Sequence, residues 1–267
     1  MMLAGFRAAL SLSTIFPVRR PAQYDRALGA RVVQTFPLVG LLLGVIAGLT
    51  AWVLQLLALP SFLSGVLLVG LLTFLTRGTH LRNLGRLLDG LTTSDSPEAA
   101  LRAMRSSTVG YWGMLAMALA LLAEIAAMGA LISHKGAIFV GVIVAVSRWA
   151  TPLLCMVKGS PIPRQGLASY LLGTQRPAFA WTLVVASAFM LAAGAAATAA
   201  LSSVMPEVAV VLMVLYVALA SKLTLYLRDR TIRIFGFVPE EALSAQVALW
   251  EMTTVVVGVI SLAFAGL

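Results

Sequence analysis

Residues 109–133 read V-G-Y-W-G-M-L-A-M-A-L-A-L-L-A-E-I-A-A-M-G-A-L-I-S, twenty-five positions with a single charge, Glu124. A run of this length and composition is enough to cross the hydrocarbon core, which takes about 20 helical residues. Seven more apolar segments lie at about 3–18, 32–59, 61–76, 136–157, 178–202, 205–227 and 245–266. In hydrocarbon only a helix or a closed barrel satisfies its own backbone, and these runs are too long and too uniformly apolar for barrel strands. The expected fold class is therefore all-α: a polytopic integral membrane helical bundle of about seven or eight hydrophobic helices in one membrane domain. The first and third segments are about 16 residues long, short enough to be tilted, interfacial or re-entrant.

Composition agrees. Of the 267 residues 60% are hydrophobic and 11% charged, which excludes an ordinary soluble domain. The net charge of +9 does not point to nucleic acid, because the basic residues gather in short connections between apolar runs. The connections at 17–31, 77–108, 158–177 and 228–245 hold fifteen of the nineteen Lys and Arg, whereas those near Pro60, His134 and Met205 hold Lys135 alone. This alternation predicts that the four basic connections share the cytoplasmic side of a bacterial cell membrane. Both termini would lie opposite if the first segment spans. No cleavable signal peptide is expected, since Arg7 interrupts the opening apolar run and no small-residue cleavage motif follows. Cys155 is the single cysteine, so no disulfide framework is expected.

The densest polar stretch is Arg77–Thr108, R-G-T-H-L-R-N-L-G-R-L-L-D-G-L-T-T-S-D-S-P-E-A-A-L-R-A-M-R-S-S-T, with one of two histidines, three of ten acidic residues and five of nineteen Lys and Arg. Chemistry is expected there. Within the apolar segments, Glu124 and Arg148 suggest an ion pair across adjacent helices, Lys222 a snorkelling side chain, and Glu251, near the start of the last helix, a functional carboxylate. Gly40 and Gly44, four apart, and the alanine-rich 178–202 segment read as close helix packing. Pro37 is expected in a first helical turn.

The motifs now resemble, in order and over nearly the full chain, the cobalamin synthase family, the membrane adenosylcobinamide-GDP ribazoletransferases. S-L-S-T-I-F-P-V (11–18) is similar to the family's opening F-L-T-R-L-P-V-P, and F-P-L-V-G-L-L-L-G (36–44) to its second-helix start. G-T-H-L-R-N-L-G-R-L-L-D-G-L (78–91) resembles G-x-H-L-D-G-L-A-D-T-x-D-G-L, and A-M-R-S-S-T-V-G-Y-W-G (103–113) resembles I-M-R-D-S-R-x-G-x-x-G. S-R-W (147–149), P-R-Q-G-L (163–167) and F-G-F-V-P-E-E-A-L-S-A-Q-V-A-L-W-E (235–251) complete the set. His80, Asp89 and Glu251 match the family's pattern, but Arg82 and Arg86 occupy two of its acidic positions. Ser106 and Gln165 replace two others, Glu124 stands for a lysine, and Glu240-Glu241 for Gly-Asp.

The resemblance implies that α-ribazole, or its 5′-phosphate, joins adenosylcobinamide-GDP with release of GMP. It further implies Mg²⁺ held by Asp89, Glu241 and Glu251, with His80, Asp89, Arg105, Glu241 and Glu251 as catalytic residues. Arg82, Arg86, Ser107, Arg148, Arg164, Gln165 and Gly236 would bind substrate. Phosphoryl transfer relies on positioning and cationic clamps. Arg86, three residues before Asp89, is placed to pair with it on a helix. Arg82 and Arg86 could instead bind pyrophosphate directly or contact anionic membrane lipid. His80 suits a general base or a histidine satisfied by a neighbour. A weakened relative that binds precursors or a partner, and a transporter, are the alternatives. The sequence leaves the oligomeric state, a homo-oligomer included, open.

Overall fold

A computed structural model describes residues 2–93, 96–156, 162, 166–202 and 205–265. The described residues form helices throughout: α1 Met2–Ser13, α2 Arg26–Leu56, α3 Ser61–Leu75, α4 Thr79–Thr92, α5 Pro97–Met104 and α6 Tyr111–Ser133 in the first half. The second half carries α7 Ala137–Ser147, α8 Thr151–Leu154, α9 Ala168–Leu171, α10 Pro177–Leu201, α11 Pro206–Phe235 and α12 Glu240–Ala265.

Six of these are long and apolar enough to cross a membrane: α2, α6, α7 continued by α8, α10, α11 and α12. A seventh is available if α3 and α4 count as one span bent by 83°. The protein is thus a polytopic helical membrane bundle, with fewer spans than the eight apolar segments suggest. The difference lies in the first segment, and in the third unless α3 is counted together with α4. Helix α1 has 12 residues, or about 18 Å at 1.5 Å per residue, against a hydrocarbon core of about 30 Å.

The lipid-facing surface is legible in the helices. On α2 the exposed Leu38, Leu41, Val45, Leu49, Trp52 and Leu56 recur at helical spacing, while Val39, Leu43, Ala47, Ala51 and Leu54 face inward. At the centre stands α7, whose Phe139, Val140, Ile143 and Val144 are fully buried. It packs against α2, α6, α10 and α12. Gly40 and Gly44 do serve packing: a methyl group on Gly44 would stand 2.5 Å from the carbonyl oxygen of Gly141. α3 meets α6 the same way, with Gly129 against the Ser61 carbonyl.

Three boundaries move. α2 begins at Arg26, capped by Asp25, whose carboxylate accepts the Leu28 amide at 2.6 Å, so Pro37 lies inside the helix and not in its first turn. α11 runs on to Phe235 through Arg228, Arg230 and Arg233, and α12 starts at Glu240, five residues before the apolar run. An apolar run marks what sits in hydrocarbon; backbone hydrogen bonding continues past it into polar turns. Glu251 consequently sits about three turns into α12, not at its start.

The turn that positions the polar stretch is Arg77-Gly78. Both residues have positive φ, 57° and 59°, and the Gly78 amide donates back to the Thr73 carbonyl at 2.7 Å, closing the end of α3. From there α4 leaves at 83° to the helix before it.

Candidate active site

α4 is amphipathic, and its spacing sorts its residues onto two faces. Thr79, Arg82, Asn83 and Arg86, at intervals of three and four, line a cavity of about 260 Å³. Leu84, Gly85, Leu87 and Asp89 turn inward. The opposite wall belongs to α12, where Glu240, Glu241, Ser244 and Val247 follow the same periodicity. Leu12 and Phe36, together with Leu167 and Leu171, supply an apolar side. A second cavity of about 440 Å³ shares Arg86, Glu240 and Glu241 with the first and adds Arg105 and Phe237.

The first cavity gathers polar atoms that lack partners. His80 Nε2, Arg86 Nε, Thr151 Oγ1 and Glu241 Oε2 are each buried without a hydrogen bond, and all four residues line it. These are half of the eight such side-chain atoms among the described residues. Buried polar groups are nearly always satisfied, so this concentration marks a place for a polar ligand. The guanidinium groups of Arg82, Arg86 and Arg105 make no ion pair among the described residues, where the pairs are Arg148–Glu251 and Arg228–Asp229. Arg86 does not pair with Asp89; its Nη2 donates to the Ser106 carbonyl at 3.3 Å.

Asp89 is engaged with backbone. Its two oxygens accept the amides of Gly110 and Gly113, at 2.6 and 2.7 Å, at the N-terminus of α6. The carboxylate caps that helix from α4, and the free amides and positive dipole end of α6 hold it there. A Cβ on Gly113 would stand 2.5 Å from the same carboxylate, so the glycine is what admits it.

Behind His80 lies a small space of about 30 Å³, lined by Glu124, Arg148, Glu251 and Thr76 among others. Arg148 is 1% exposed and pairs with Glu251, to which Ser147 also donates. The expected Glu124–Arg148 pair is therefore replaced by Arg148–Glu251, because α12 packs against α7 and brings its carboxylate there; Glu124 faces the same space from α6. His80 touches both spaces, with Nδ1 at 3.0 Å from Ser244 Oγ.

The residues implied by the motifs thus divide. His80, Arg82, Arg86, Arg105 and Glu241 come together at the two cavities. Arg148 and Glu251 form a buried pair one layer deeper, away from the larger cavities. Ser107 is exposed and Gly236, with φ 78°, ends α11; neither lines any of these three cavities. Arg164 and Gln165 lie outside the described residues. Sequence reasoning missed Thr79, Asn83, Thr151 and Ser244, although the periodicity from Arg82 and from Glu240 would have placed all but Thr151 on the cavity faces.

A magnesium site built on Asp89, Glu241 and Glu251 does not fit this arrangement. Both Asp89 oxygens are taken by amides, Glu251 is paired with Arg148, and Glu241 is on another wall. No group of three His, Cys, Asp or Glu side chains suited to a metal occurs among the described residues. Glu240 and Glu241 share their cavity with Arg86 and Arg105, whose charges disfavour a divalent cation between them.

Fold and site together define a helical membrane protein with a charged, ligand-sized cavity beside its basic connectors. The chain belongs to the cobalamin-5-phosphate synthase (CobS) family, whose profile matches residues 5–238. It is similar to the adenosylcobinamide-GDP ribazoletransferase of Frankia casuarinae, with 34% identity over 184 residues, 66% of each chain. The Corynebacterium efficiens protein of the same name shares 30% over 172 residues, 64% of this chain and 62% of the relative. That of Syntrophobacter fumaroxidans shares 37% over 154 residues, 57% and 62% of the two chains. The match thus spans 62–66% of the length of these relatives. No solved structure matches the chain.

Proposed function

We propose that this chain transfers α-ribazole, or its 5′-phosphate, to adenosylcobinamide-GDP with release of GMP, at the cavity between α4 and α12. The observation that carries this reading is the cluster of unsatisfied polar atoms beside unpaired guanidinium groups on a half-apolar wall. A nucleotide-bearing corrinoid has both characters, a charged phosphate bridge and large apolar faces.

In the step itself, the ribose hydroxyl oxygen forms a bond to the phosphorus on the cobinamide side. The phosphoanhydride bond to GMP breaks, and GMP departs with the bonding electron pair. The hydroxyl proton goes to Glu241, whose Oε2 is buried and otherwise without a partner. His80 is engaged through Nδ1 with Ser244, so it supports α12 against α4 and shapes the wall beside that carboxylate. Arg82, Arg86 and Arg105 face the phosphates.

In this reading the four basic connectors lie in the cytoplasm, where the cavity opens to soluble nucleotide, and lipid surrounds the exposed apolar stripes. The test is purified protein given adenosylcobinamide-GDP and α-ribazole, with GMP followed. Stoichiometric GMP release with a corrinoid product supports it. Retained binding of both compounds with no GMP formed would overturn the transfer and leave a binding protein.

A further inference from the structure

We propose that Arg82, Arg86 and Arg105 grip the diphosphate of a bound nucleoside diphosphate directly, with no divalent ion between protein and phosphate. The inference rests on the cavity being the nucleotide site and deepens that reading.

Three observations carry it. Arg82 and Arg86 stand four apart on one face of α4, so their side chains leave the helix about 5–6 Å apart, a spacing that two linked phosphates can bridge. Arg105, just past α5, faces the adjoining cavity across the shared Arg86. All three lack ion pairs among the described residues, and Arg86 Nε is buried with no acceptor. Guanidinium presents a planar fork matched to phosphate oxygens, and three such forks offset the charge of a diphosphate that a metal ion would otherwise balance.

The carboxylates complete the logic. Those expected to hold a metal are committed elsewhere: Asp89 to the amides of α6, Glu251 to Arg148. Glu240 and Glu241 stand across the cavity from the arginines and offset their charge while no anion is bound.

The experiment measures GDP binding by titration calorimetry to full-length protein in detergent, with EDTA or with Mg²⁺. The expected result is an affinity in EDTA within about threefold of that with Mg²⁺, equivalent to less than one direct charged contact. Arg86→Ala and Arg82→Ala should each weaken GDP binding about tenfold to hundredfold, with guanosine binding unchanged. Arg86→Lys keeps the charge but loses the fork, so it should fall between wild type and Arg86→Ala; it also serves if the alanine variant fails to fold. GDP binding that vanishes in EDTA, or that survives both alanine substitutions, overturns the proposal. The outcomes separate from those of the transfer reading. GMP release with Mg²⁺-dependent GDP binding sinks the arginine grip alone, whereas EDTA-resistant GDP binding without turnover sinks the transfer alone.

Discussion

Asp89 accepts the amide of Gly113 at 2.7 Å, across 24 residues of sequence, and through this contact the amphipathic helix α4 is fastened to the start of the spanning helix α6. This carboxylate thereby caps a helix. Asp89→Asn should cost about 1–3 kcal/mol, the range for losing charge-assisted bonds at a helix N-terminus. Thermal unfolding in detergent checks this; an unchanged midpoint with abolished turnover would return Asp89 to the chemistry.

Arg148 and Glu251 are both buried and paired, so removing one leaves the other charge without compensation. Arg148→Met or Glu251→Leu alone should destabilise by about 3–5 kcal/mol, and the double variant by less than either single one. A double-mutant cycle on unfolding midpoints decides; strict additivity would show that the two do not depend on each other.

Gly44 and Gly70 give a matched pair of substitutions. Gly44→Ala puts a methyl group 2.5 Å from the Gly141 carbonyl oxygen and should cost about 1–3 kcal/mol through forced separation of α2 and α7. Gly70→Ala, with nothing within 4 Å of the new methyl, should be neutral or stabilise by up to about 1 kcal/mol. Equal effects at the two sites would contradict the close α2–α7 approach.

Glu241→Gln removes the proposed proton acceptor while keeping shape. Turnover should fall about 10²–10⁴-fold with GDP affinity retained, whereas Ser107→Ala, exposed and off both cavities, should leave GMP release unchanged. Steady-state GMP release and calorimetry on the same preparations read both. A Glu241→Gln enzyme of normal rate would move the base to another residue.

Topology is testable with single cysteines on a Cys155→Ala background. Cysteines at Arg82 and Arg233 should label from the same side of the bilayer, and one at Lys135 from the other. Labelling of all three from one side would break the crossing order.

Helix class was readable because hydrocarbon leaves the backbone no alternative, so 109–133 and 178–202 return within about two residues as α6 and α10. Helix ends were less readable at 26 and 235, where polar turns continue a helix that hydropathy alone stops. The cavity faces of α4 and α12 obey helical spacing, but Thr79, Asn83 and Ser244 were not singled out from it. Partners did not follow from spacing: Asp89 meets Gly110, and Arg148 meets Glu251, through packing between helices distant in sequence, which periodicity within one helix does not encode. Resemblance singled out Asp89 and Glu251 without their partners, the α6 amides and Arg148, because which donors meet a carboxylate depends on how the fold turns them toward it.

The Arg148–Glu251 bridge also constrains how the protein is made. α7 carries its arginine at the end of a long apolar run, while the compensating carboxylate emerges from the ribosome 103 residues later. Until α12 is synthesised, Arg148 has no countercharge from that helix, and isolated insertion is penalised by about 2.5–3.5 kcal/mol. C-terminal truncations that remove Glu251 should therefore be cleared by membrane quality control even when they spare every residue of the two larger cavities.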